Sequence, residues 1–187
     1  MQYIKKELAL TPFFYVYLKE RTKKGVVVMS EQKPMSESRT IQSKLVLPPD
    51  TNHIESIFGG KVLSYIDEIA AISAMKHAGT RAAITASIDS VDFVSPALLG
   101  DVIELEAVVT SVGRTSMEVF ISVHSKNLVT GEVRLTTESF CTMVAVDDTN
   151  RPIPVAEVYP ETELEKRLFD TAPARRELRK QRRLMKH

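Results

Sequence analysis

The sequence predicts an α+β fold in which a long central helix is wrapped by a five-stranded antiparallel sheet, followed by a basic C-terminal helix. Three features predict it. Residues 60–78 carry Val62, Leu63, Ile66, Ile69, Ala70, Ser73 and Met75 at near-helical spacing, with no internal Gly or Pro. One segment before that helix and four after it read as strands, with tight-turn residues between the later ones. A sheet of that size must bury one apolar face, and the 60–78 helix is the element long enough to cover it.

The first strand is TIQSKLVL (40–47), stopped by Pro48-Pro49-Asp50. Gly79 is placed to close the helix at its C-terminal end. Beyond it Ile84, Ala86 and Ile88 alternate, and Val91 and Phe93 continue on the other phase, which predicts a bulge near Asp89–Ser90. Alternation resumes over 103–109 and 117–123, while 132–146 is apolar or small on both phases, as in a central strand covered on both faces. Gly100-Asp101, Gly113-Arg114 and Thr130-Gly131 supply the turns. Pro152 and Pro154 end the last strand, and residues beyond 160 predict one or two helices with a break near Ala172, where Thr171 and Pro173 stand.

The domain reading is an N-terminal extension over 1–37, a body over 38–160 and a basic helical tail over 161–187. Residues 1–28 differ in character from the rest, and Met29 followed by a polar segment reads as a natural protein start. Both ends are basic, and the intervening residues 29–170 hold 12 basic against 21 acidic side chains, net −9. The charge of the tail reads first as a solvated helix face, because no aromatic side chains interleave it as a single-strand nucleic-acid surface requires. The lone Cys141 excludes an internal disulfide framework and places the chain in a reducing compartment, hence the cytoplasm. No apolar run approaches the roughly 18 residues of a membrane span.

Familiar catalytic motifs are missing: no G-x-S-x-G elbow, no phosphate-binding Gly loop, no H-E-x-x-H. The four histidines do not cluster at metal-ligand spacing, so neither metal nor cofactor is expected. What remains is PPDTNHIESIFGGKVLSYIDEIAAISAMKHAG (48–79). Asp67 has Leu63, Ser64, Ala70, Ala71 and Ala74 as helical neighbours, a surface without charge partners. An ordinary exposed helix Asp fits this pattern, as does a carboxylate kept for chemistry. Asn52 is good turn chemistry and also offers an amide that orients a water or donates to a carbonyl oxygen. Gly59 and Gly60 fit a plain helix entry, and they also leave the first helical N–H groups uncovered, as an oxyanion site aided by the helix dipole requires.

The run PDTNHIESIFGGKVLSYIDEIAAISAMKHAG, with VDFVSPALLGDVIELEAVVTSVGRTSMEVFISV, resembles the hot-dog-fold acyl-coenzyme A thioesterases of the cytosolic acyl-CoA hydrolase type, over residues 38–160. The resemblance carries the Asn-to-FGG spacing, the Asp-Glu pair in the helix, the Pro-x-x-x-Gly-Asp turn and the Gly-Arg-Thr-Ser turn. It implies hydrolysis of acyl-CoA to a free acid and coenzyme A without a cofactor, in an enzyme of fatty acid metabolism. It puts the catalytic pair on Asn52 and Asp67, and it places Gly113, Arg114, Thr115, Ser116, Val91 and Phe93 along the coenzyme A chain, with Arg114 toward a phosphate. It also implies a homo-oligomer, with the dimer as minimal unit and hexamers as trimers of dimers.

Distance alone points the same way. Seven residues separate Gly60 from Asp67, roughly 10 Å along one helix, too far for one thioester carbon to meet both. Two helices packed antiparallel about a two-fold axis bring the N-terminus of one near Asp67 of the other. The basic tail is then a candidate source of attraction for the polyanionic ligand. A hot-dog hydratase and a non-catalytic acyl-CoA sensor are the rival readings. The first lacks a suitable His beyond His53, and the second lacks a DNA-binding module in residues 1–39, where Pro12, Gly25 and Pro34 stand.

Overall fold

The computed structural model describes residues 32–185; the expected start at Met29 and the distinct character of residues 1–28 lie outside the described residues. Strands β2 (Thr40–Leu45), β3 (Ala82–Phe93), β4 (Val102–Val112), β5 (Ser116–Lys126) and β6 (Val133–Val146) form one antiparallel sheet in the order β2-β4-β5-β6-β3. Two short strands, β1 (Gln32–Pro34) and β7 (Glu157–Tyr159), pair in parallel beside it.

Helix α1 (Gly59–Ala78) packs against all five strands of the sheet. Its buried face is Val62, Ile66, Ile69, Ala70, Ser73, Ala74 and His77, the expected stripe extended by one turn, with Leu63 and Met75 at its half-buried margins. These side chains meet Ile103, Leu105, Val119, Ile121, Cys141 and Met143 from the sheet. Each fully buried Ile or Leu contributes about 1.5–3 kcal/mol, so this layer holds the body together. Gly79 ends the helix at φ 65°, a left-handed conformation that side chains other than Gly or Asn rarely take.

The second face of the sheet is covered too. Helix α2 (Glu163–Leu184) starts at a capping box, with Thr162 and Glu165 satisfying each other's backbone N–H groups. It runs unbroken through Pro173, contrary to the break expected near Ala172. Proline costs a helix one N–H bond and crowds the preceding turn. The carbonyl left without an N–H is that of Phe169, and side chains add bonds in the turn just before it: Arg175 donates to the Leu168 carbonyl and Thr171 Oγ1 to the Arg167 carbonyl, each at 2.6 Å. The arginines are also anchored on the sheet: Arg175 Nη2 lies 2.7 Å from Glu118 Oε1, and its guanidinium sits 4.1 Å from the centre of the Phe140 ring. This inner row of α2 is therefore not the solvated face that its charge suggests.

Residues 32–37, assigned from sequence to the leading extension, are built into the body. Met35 is fully buried, and Ser38 links two elements, accepting from the Val109 N–H through Oγ and from Ser73 Oγ through its carbonyl, both at 2.9 Å.

Candidate functional site

The loop before α1 is organised by Asn52. Its Oδ1 accepts from the N–H groups of Ile54 at 3.0 Å and Ser56 at 3.2 Å, and its Nδ2 donates to Ser56 Oγ at 2.9 Å. Glu55 takes φ 59° to complete the turn. Ile57 N–H to the Ala97 carbonyl (2.8 Å) and Leu99 N–H to the Glu55 carbonyl (2.9 Å) tie the loop to the chain entering β4. An amide has two donor hydrogens and two acceptor lone pairs. Both lone pairs are engaged, so the group left for chemistry is one N–H.

Helix α1 begins without a side-chain cap: Phe58 at the N-cap position makes no capping hydrogen bond. The first helical N–H groups that find backbone partners are those of Lys61 and Val62, both to the Phe58 carbonyl. The Gly59 and Gly60 amides have no hydrogen-bond partner among the described residues. A Cβ on Gly60 would stand 2.6 Å from the Phe58 ring, and one on Gly59 3.3 Å from the Phe93 ring. Phe93 therefore belongs to this end of the helix. Lys61 bridges to Asp50 at 3.1 Å, and the hydrogen bond and charge of that carboxylate raise the Lys61 ammonium above its usual range.

Asp67 stands two turns farther along α1. It is exposed in the single chain, and Thr85 Oγ1 donates to its Oδ1 at 2.5 Å. Thr85 was not identified from the sequence, although a signal existed. Asp67 precedes Gly79 by 12 helical residues, roughly 18 Å at 1.5 Å per residue. Thr85 follows Gly79 by six residues, a bend at Thr80 and Arg81 and then the first four residues of β3, which returns along the helix. A strand returning along its helix brings these two side chains level.

The Gly113–Ser116 turn lies elsewhere in the protomer. Gly113 N–H closes it on the Ser116 carbonyl at 2.7 Å, and the carbonyls of Arg114 and Thr115 accept from Val155 and Ala145, each at 3.1 Å. Ser116 pairs with Val144 of β6, whereas Phe93 pairs with Thr137. Those partners are seven residues apart on β6, roughly 23 Å. Within one chain, then, Asn52, Gly59, Gly60 and Phe93 gather at one end of α1, with Val91 on the adjoining stretch of β3. Asp67 with Thr85 forms a second group, and the 113–116 turn with the exposed Arg114 a third. Among the described residues no cluster of His, Cys, Asp and Glu is arranged to hold a metal ion, and no helix is long and apolar enough to cross a membrane.

Comparison with known proteins places this arrangement. The family model of the thioesterase superfamily matches residues 55–132, from the loop after Asn52 to the end of the β5–β6 turn. The uncharacterized acyl-CoA thioester hydrolase YkhA of Bacillus subtilis is 49% identical over 146 residues, 78% of this chain and 84% of that protein. The chain belongs to the acyl-CoA thioester hydrolases of the thioesterase superfamily. Among solved structures of the family, an apo hexameric acyl-CoA thioesterase is 64% identical, with TM-score 0.81 over 83% of this chain and 99% of that one. An acyl-CoA hydrolase of Staphylococcus aureus, solved with butyryl coenzyme A, coenzyme A and coenzyme A disulfide, is 46% identical, with TM-score 0.78 over 82% of this chain and 93% of that one. Structures of that hydrolase also exist with an aspartate, an asparagine or a threonine replaced by alanine.

Proposed function

We propose that this hydrolase cleaves acyl-CoA thioesters to a free carboxylic acid and coenzyme A at a site built by two protomers. Asp67 is the general base: it takes a proton from water as the water oxygen attacks the thioester carbon. Negative charge gathers on the carbonyl oxygen, where the free Nδ2–H of Asn52 and the Gly60 N–H of the other protomer's helix end receive it. Collapse of that tetrahedral species breaks the carbon–sulfur bond, and the thiolate leaves and takes up a proton. Gly59, Val91, Phe93 and the Gly113–Ser116 turn line the coenzyme A chain, with Arg114 meeting a phosphate.

The observation that carries this reading is Asp67 itself, open to solvent in the single chain, held by Thr85, and about two helical turns away from two unpartnered amides. The S. aureus variants support it. The asparagine and aspartate exchanged there are fifteen residues apart, the separation of Asn52 and Asp67. The exchanged threonine follows the aspartate by seventeen residues, against eighteen for Thr85 after Asp67. Thr85 accordingly joins the site as the group that orients the base. The hexameric relative favours a homo-oligomer, which we assign as a dimer at minimum and a trimer of dimers in full. A free, buried Cys141 fits a reducing, cytoplasmic setting.

Thiol release from a panel of acyl-CoAs tests the reading and separates it from the hydratase and sensor alternatives. Turnover is expected with the parent, and Asp67→Ala should lose on the order of 10²–10⁴-fold in kcat while keeping its fold. An Asp67→Ala enzyme within about threefold of the parent removes Asp67 from the chemistry.

A further inference from the structure

The inner arginines of α2 make a specific grip on the sheet. Arg179 Nη1 lies 2.5 Å from Glu118 Oε2 and 3.1 Å from Asp89 Oδ2. Glu118 belongs to β5 and Asp89 to β3, with β6 between them, so one guanidinium spans three strands. Arg182 adds a second hold, 2.6 Å from Asp89 Oδ1 and 2.5 Å from the Asp89 carbonyl oxygen. Ser87 Oγ at 2.8 Å and Thr142 Oγ1 at 3.2 Å donate to the same carboxylate.

Asp89 is no ordinary strand residue. The pairing of β3 with β6 slips between Ile88 and Ser90, and again between Thr85 and Ser87. Successive side chains of a regular strand alternate faces, so without the slip at Ala86 the side chains of Thr85, Ser87 and Asp89 would share one face. With it, Thr85 turns to α1 and donates to Asp67, while Ser87 and Asp89 meet each other on the α2 side. A bulge leaves its extra residue outside the ladder, and Arg182 takes up the Asp89 carbonyl. β3 is also an edge strand, paired on one side only within the chain.

From this placement we infer that Arg179 and Arg182 are positioning residues for the thioesterase site: by gripping Asp89 they fix the bulged register of β3 that aims Thr85 at Asp67. The inference rests on the reading of Asp67 as the base. It concerns the row of α2 turned to the sheet; the expected attraction of anionic substrate rests on the outward basic side chains of the tail, such as Arg183.

The test is a double-mutant cycle of Arg182→Gln with Thr85→Ala in the full-length enzyme, read by steady-state thiol release and by amide hydrogen exchange over residues 84–90. Arg182 is half exposed, so its replacement leaves the core intact. Arg182→Gln should lower kcat about tenfold with KM within about twofold of the parent at low and high salt. In the Thr85→Ala background the same change should cost less than about twofold more, because its effect runs through Thr85. Exchange at residues 84–90 should quicken without a change elsewhere, and Arg182→Lys should restore little, since one ammonium does not hold carboxylate and carbonyl together. Full additivity with Thr85→Ala, or a salt-dependent rise in KM at constant kcat, overturns the inference. If the parent releases no thiol at all, the thioesterase reading fails, and unaltered exchange over 84–90 then rejects the clamp by itself.

Discussion

At the scale of single residues, Asn52 separates folding from chemistry. Its Oδ1 holds the loop through two N–H groups, while one Nδ2–H remains for the substrate. Asn52→Asp keeps both acceptor bonds, lets the Ser56 hydroxyl donate where the amide did, and loses the free N–H, so the variant should melt with the parent while kcat falls by about 10²–10³, the usual effect of removing one oxyanion donor. Thermal unfolding beside thiol release checks this; a matched fall in both assigns Asn52 to the loop alone. Cys141 bears on that assay. Burial pushes its thiol up to about 12, so it should stay unreactive toward thiol reagents in the native enzyme and react once per chain after unfolding. Asp67 and Asn52 were singled out through the family resemblance, because taken alone an ordinary helix Asp and a turn Asn fit the same pattern. Thr85 was hidden, because a Thr in a strand is ordinary until the helix beside it is measured off in ångströms.

Among elements, α1 was readable almost to the residue, from the apolar stripe to Gly79, since local periodicity and a left-handed cap decide it. Helix α2 was not. Its sequence reads as a charged, Pro-broken tail, and what makes it continuous and docked is a set of partners 57 to 93 positions away, Glu118 and Asp89. Local signals carry no trace of such pairs. Glu118 is the centre of the docking. Burial alone would raise its carboxyl, but the hydrogen bonds and charges of Arg175 and Arg179, with Thr110, hold it below the usual carboxylate range. A carboxyl depressed in the folded state stabilises fully above its unfolded value and ceases to do so as pH falls through the folded one. Glu118→Gln should therefore cost about 3 kcal/mol near neutrality, leaving the part-buried Arg175 without its anion and Arg179 with Asp89 alone. Denaturant unfolding against pH should show that gap closing in acid, below the ordinary carboxylate range. A gap independent of pH assigns the loss to packing.

For the whole molecule, the proposed shared site leaves the single chain incomplete as an enzyme. Ile84, Ile88 and Phe93 along the open edge of β3, with Ile54 and Phe58 at the start of α1, expose 37–67% of their surface. An apolar edge strand is a liability for a protomer that stays alone. Pairing two β3 edges about a two-fold axis covers it. Because that pairing is antiparallel, it also carries the Asn52, Gly60 and Phe93 end of one protomer toward Asp67 and Thr85 of the other. The consequence is complementation. Asn52→Ala and Asp67→Ala homo-oligomers should each be nearly inactive. Unfolded together in equal amounts and refolded, half of the dimers are mixed, and each mixed dimer holds one site with both lesions and one with neither. Activity should return to about a quarter of the parent's, with the parent's KM, since the restored site is the native one. Refolding either variant alone sets the background. If the mixture stays at that background while the parent recovers under the same protocol, Asn52 and Asp67 act within a single protomer, and the shared cleft is ruled out.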